Sequence, residues 1–65
     1  MDEPMMKYFA YSHLPEHLKI VSVRFYDLEV AVCELIEPGA ERKMALRKLL
    51  ESKDAAVRAK LHPGQ

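Results

Sequence analysis

Three histidines, one cysteine and a cluster of aromatics are the residues of this 65-residue chain whose types could do chemistry. His13 and His17 are four apart with Glu16 between them, a spacing at which two rings can share a helix face. Pro15 lies inside that interval and marks a helix start, so His13 falls off the helix, and His62 stands at the far end of the chain. A zinc site takes three or four ligands at defined spacing. The single Cys33 excludes a CxxC site and an internal disulfide. No metal site is expected. Cys33 falls mid-helix on an apolar flank, where cysteine packs as a small hydrophobe. Ser22 and Ser52 are helix-interior, and nothing resembles a nucleophile elbow. The two glycines, Gly39 and Gly64, cannot build a phosphate-cradling loop. The sequence points away from an enzyme, and no cofactor is expected.

What remains is binding. Tyr8, Phe9 and Tyr11 stand close together, and flat aromatic faces stack on nucleobases with roughly 1–3 kcal/mol per base. Lys19 and Arg24 follow on a first helix, Arg42 and Lys48 on a second. Such bases hold phosphates through charge-assisted hydrogen bonds. The same three aromatics could instead cover an apolar stripe that would otherwise face water. Both readings stay open on the residues alone.

Ten basic and ten acidic residues cancel, which argues against a polyanion binder working by counterion release. The cancellation hides an uneven distribution. Residues 1–39 hold three bases against seven acids, and residues 40–65 hold seven bases against three. Halves that pack together attract across their contact, and converging bases could also make a local anion site without a basic surface. Duplex DNA is not the expected partner, because Arg42, Lys43, Arg47 and Lys48 wrap more than one helix face and the acidic half repels a phosphate backbone. No apolar run approaches the roughly 20 residues of a membrane-spanning helix. No basic stretch followed by an apolar core opens the chain, so no secretory signal is expected. With one cysteine, the reading is cytosolic.

The elements that must position these residues are two helices. Ser12-His13-Leu14-Pro15-Glu16 reads as a helix start, with proline tolerated in the first turn and Glu16 complementing the positive helix end. Leu14, Leu18, Val21, Phe25, Leu28, Val32 and Leu35 then recur at alternating spacings of four and three, the stripe of an amphipathic helix over about 14–37. Pro38-Gly39 stops it, with glycine free to adopt the left-handed conformation. A second helix over about 40–61 is rich in alanine and other helix formers. Its main stripe is Leu46, Leu50, Val57 and Leu61, with Lys53 where an apolar residue is due. So short a turn at 38–39 requires an antiparallel pair. The expected fold is all-α: one domain over 1–65, a helical hairpin behind a short N-terminal arm of residues 1–13. Ile20, Val23, Val30, Cys33, Ile36, Met44 and Leu49 lie off the main stripes, and a lone hairpin would leave them in water. Such a patch marks a partner surface, and the simplest partner is another copy, giving a homo-oligomer.

The run Tyr8-Phe9-Ala10-Tyr11-Ser12-His13-Leu14-Pro15-Glu16-His17-Leu18, then Val21-Ser22, then 40–59, resembles short proteins of actinobacterial phages. The second segment, with Glu41-Arg42, Ala45-Leu46 and Lys48-Leu49 before Glu51, is similar to the helical hairpin of the phage anti-CBASS and anti-Thoeris sponge proteins. As an arrangement the resemblance covers nearly the whole chain; as a motif it covers residues 41–51. It implies a non-enzymatic viral protein of immune evasion that binds cyclic di- or trinucleotide messengers and keeps them from their effectors. It implies a homohexamer with cyclic dinucleotides held between protomers, working in the cytoplasm of the infected bacterial host. By the same resemblance Tyr11 matches a tyrosine that stacks on a base. Arg24, with Lys19 second, matches a base on the first helix, Arg42 matches the arginine opening the second helix, and Lys48 matches its Lys-Leu pair. The chain is shorter than the better-known members and differs in its first helix. A reading from a different class, a small helical adaptor or structural oligomer that docks a protein partner, fits the same apolar surface.

Overall fold

The computed structural model of the protein describes residues 8–64, so Met5 and Met6 of the expected arm lie outside the described residues. Two helices, α1 (Glu16–Leu35) and α2 (Ala40–Leu61), make up most of it. They form the expected all-α hairpin. Arg42 at the start of α2 reaches Ile36 just past the end of α1, while Lys53, three turns later, reaches Tyr8 ahead of α1. Those two contacts fix the antiparallel sense.

Each boundary has a local cause. Pro15 is the N-cap of α1 rather than its first helical residue, at φ −57° and ψ 154°. Its carbonyl accepts from the N–H groups of Leu18 and Lys19 at 3.0 and 2.9 Å. At the other end Ile36 turns extended and donates its N–H to Val32 O at 3.0 Å. Pro38 disfavours helical geometry in Glu37 before it, so the helix ends there. Gly39 does not take the left-handed conformation expected of it. It is extended, at φ 169° and ψ 177°, and serves as the N-cap of α2. The chain reverses through residues 36–39 without a left-handed residue.

The seam between the helices follows the stripe the periodicity marks only in part: Leu18 is buried and Leu14, Val21, Phe25 and Val32 are half-buried. Leu18, Ser22 and Glu29 are the buried residues of α1, and Leu28 and Leu35 are 52% and 83% exposed. The contact line is turned by about one residue toward Ser22, Glu29 and Cys33. On α2 the seam starts at buried Arg42 and continues through buried Leu46 and half-buried Leu49, Leu50, Lys53, Ala56 and Val57. Lys53 thus stands in line with the apolar residues around it. Phe9, completely buried, anchors the arm, and burial of a phenylalanine contributes on the order of 1.5–3 kcal/mol. One aromatic of the Tyr8-Phe9-Tyr11 cluster is therefore core.

Candidate functional site

The arm reaches α1 through a turn closed by the Leu14 N–H donating to Tyr11 O at 3.0 Å. That turn sets the Tyr11 ring edge-on against Tyr26 of α1, with centroids 5.2 Å apart and planes at 65°. Both tyrosines are half-buried, and an edge-to-face pair contributes about 0.5–1.5 kcal/mol beyond its buried area. Tyr26 is a residue the sequence reading passed over. Its spacing carries a signal nonetheless, since Lys19, Val23, Tyr26 and Val30 share a helix face. Half-buried Lys19 is thus on the face of the tyrosine pair, two turns earlier. Arg24 is exposed and, two residues before Tyr26, projects from a different side of α1 together with Ile20 and Leu28, four residues to either side.

On the α2 side of the arm lies a partly open cleft of about 310 Å³. Tyr8, His13 and Leu14 line it from the arm, Ser22 from α1, and Lys53, Asp54, Val57 and Arg58 from α2. Lys53 donates from Nζ to the Tyr8 carbonyl and lies 3.8 Å from Asp54, its own side chain only 13% exposed. Ser22 is completely buried, and its hydroxyl has no hydrogen-bond partner among the described residues. An unsatisfied buried group costs about 1–3 kcal/mol, so this position is expensive unless something binds there. In sequence, Ser22 reads only as a helix-interior serine unfit for nucleophilic catalysis. Lys53, by contrast, shows itself as a base in an apolar stripe.

The remaining site residues sit elsewhere. Arg42 is 8% exposed. Its Nη1 donates to Ile36 O at 3.0 Å and to Cys33 O at 3.4 Å, carbonyls at the end of α1 where the helix leaves acceptors open. This is cross-helix capping, with a cation at the negative helix end. Beside it the Cys33 thiol donates to Glu29 Oε2 at 3.1 Å, and Glu29 Oε1, fully buried, has no partner among the described residues. Lys48 is exposed on α2 and pairs with Glu51 at 3.7 Å, a surface contact of small energy. The structure therefore brings Tyr8, Tyr11 and Lys19 to the arm end of the hairpin and leaves Arg42 at the opposite end. Lys48 lies apart on the α2 surface.

Among the described residues no three His, Cys, Asp or Glu side chains gather as metal ligands. No helix of the described residues is long and apolar enough to cross a membrane. No family model, curated protein or solved structure matches the chain.

Proposed function

We propose that the protein is a non-enzymatic binding protein that sequesters cyclic oligonucleotide immune messengers, a phage counter-defence sponge acting in the cytoplasm of the infected host. The observation that carries the reading is the Tyr11–Tyr26 pair. Its two rings are half-buried at the arm junction, with Lys19 on the same helix face. Rings held by packing lose little entropy when a base stacks on them, and each stacked base contributes roughly 1–3 kcal/mol. Lys19 supplies charge for the phosphates on that face, and exposed Arg24, on another side of α1, would serve a ligand held by a neighbouring protomer. The resemblance of residues 41–51 to sponge proteins supplies the ligand class. A cyclic ligand suits such a platform because it surrenders less conformational freedom than a linear one.

In this proposal the working form is a homo-oligomer, a hexamer by the resemblance, with ligand held between protomers. Support comes from the outer face of α1, where Ile20, Leu28 and Leu35 are each half-exposed or more. Sequestration acts by mass action, so sites must outnumber messenger and bind it at about nanomolar Kd, some −12 kcal/mol.

Equilibrium dialysis with a cyclic dinucleotide tests the reading. Wild-type protein retains the ligand and releases it chemically intact on denaturation. Tyr11→Ala loses retention at least a hundredfold while its far-ultraviolet circular dichroism is preserved. Altered ligand after release would mean catalysis; unchanged retention by Tyr11→Ala would remove the stacking role. The second reading, an adaptor, is favoured by the same exposed leucines and predicts an assembled protein that ignores nucleotides.

A further inference from the structure

The cleft between the arm and α2 holds polar groups that the tyrosine pair does not use. Ser22 closes its inner side, buried completely, with an unpartnered hydroxyl. A serine inside a helix ordinarily bonds back to the carbonyl one turn earlier; this one does not. Lys53 stands in the apolar seam and lines the cleft, one N–H on the Tyr8 carbonyl. An ammonium carries three donors, so capacity remains. Arg58 lies on the same wall and His13 faces them from the arm.

The charges on this lining do not cancel. Asp54 is the one carboxylate, and it is half exposed beside the much more buried Lys53. Against it stand two permanent cations, the little-exposed Lys53 and the exposed Arg58. A hydroxyl, an ammonium and a guanidinium around one space are the donors that a tetrahedral oxyanion requires. The aliphatic parts of Leu14 and Val57 offer apolar wall beside them. At about 310 Å³ the space lies at the small end of ligand pockets, roughly 300–1,000 Å³. That admits a mononucleotide-sized molecule or a single phosphate, not a whole cyclic oligonucleotide.

We infer that this cleft is a second binding site, separate from the tyrosine pair, for the terminal phosphate of a small phosphomonoester, held by the Ser22 hydroxyl, Lys53 and Arg58. A phosphomonoester carries close to two negative charges at neutral pH and is drawn to a lining that sets two permanent cations against the single carboxylate of Asp54. The inference does not depend on the sponge reading, because none of its three ligands belongs to the stacking platform.

Isothermal titration of the full chain with inorganic phosphate and with adenosine 5′-monophosphate, against adenosine as control, tests it. Both phosphates bind and adenosine does not. Lys53→Met weakens the phosphates at least tenfold. Ser22→Ala weakens them severalfold while raising the unfolding midpoint, because it deletes a buried hydroxyl without a partner; a purely structural serine would raise the midpoint alone. Tyr11→Ala leaves phosphate affinity within twofold. Absence of binding by both phosphates, or binding indifferent to Ser22→Ala and Lys53→Met, overturns the inference. Cyclic dinucleotide retained without phosphate binding overturns this site alone, and phosphate binding without cyclic dinucleotide overturns the sponge reading alone.

Discussion

The guanidinium of Arg42 ties the two helices together at their shared end, where α1 leaves carbonyls without intrahelical partners. A charged donor on such acceptors contributes about 1.5–3 kcal/mol. Arg42→Ala should therefore lower the unfolding free energy by about that amount, read from the urea midpoint at constant slope. If Arg42 serves a ligand instead, the midpoint stays put and ligand affinity falls. This role was not legible from residue type and spacing, which present Arg42 as a base opening a helix. The acceptors that occupy it come from α1 and exist only once the hairpin has closed. Tyr8 and Tyr11 divide in the same way. Their types announce stacking, but only the folded arm shows that Phe9 between them is core while Tyr11 meets Tyr26.

At the scale of elements, the helices and their turn could be read from Pro15, the apolar periodicity and Pro38-Gly39, and α2 spans 40–61 as expected. The first helix is two residues shorter at each end than the periodicity suggests, because Pro15 caps it and Ile36 is already extended. What periodicity could not settle is which side of α1 meets α2. A stripe such as Leu14, Leu18, Val21, Phe25, Leu28, Val32 and Leu35 specifies an apolar face, not its partner. Within one chain the fully buried line of α1 is instead Leu18, Ser22 and Glu29. Gly39 offers a test at this scale. It is the N-cap of α2, makes no side-chain cap, and a Cβ there would meet no atom within 4 Å. Its φ of 169° is extended backbone. Gly39→Ser should therefore supply the missing cap and raise stability by a few tenths of a kcal/mol. A drop in the urea midpoint would show that the turn needs glycine for a reason other than capping.

Over the whole molecule, the hairpin hides polar groups and displays apolar ones. Ser22, Glu29 and Arg42 are buried, while Ile20, Leu28, Leu35, Ile36 and Met44 are about half-exposed or more. A chain of this size has little apolar burial to spare, and the proposed homo-oligomer would cover this surface. The sequence foreshadowed this surface in Ile20, Ile36 and Met44; Leu28 and Leu35 joined it only through the turned seam. Leu28→Asp should preserve helical content but shift the sedimenting species toward the 7.5 kDa monomer. Loss of helix would mean that assembly and folding are one step. An unchanged mass would place the interface elsewhere. The central claim, sequestration of a cyclic oligonucleotide, is tested most directly by thermal unfolding against cyclic di- and trinucleotides, with linear dinucleotides as controls. Ligand at 100 times its Kd adds about 2.7 kcal/mol, and a domain of this size gains roughly 4–8 °C per kcal/mol. The account predicts an upward shift of several degrees with a cyclic compound and none with its linear counterpart. A folded protein whose midpoint ignores the whole cyclic panel would contradict it.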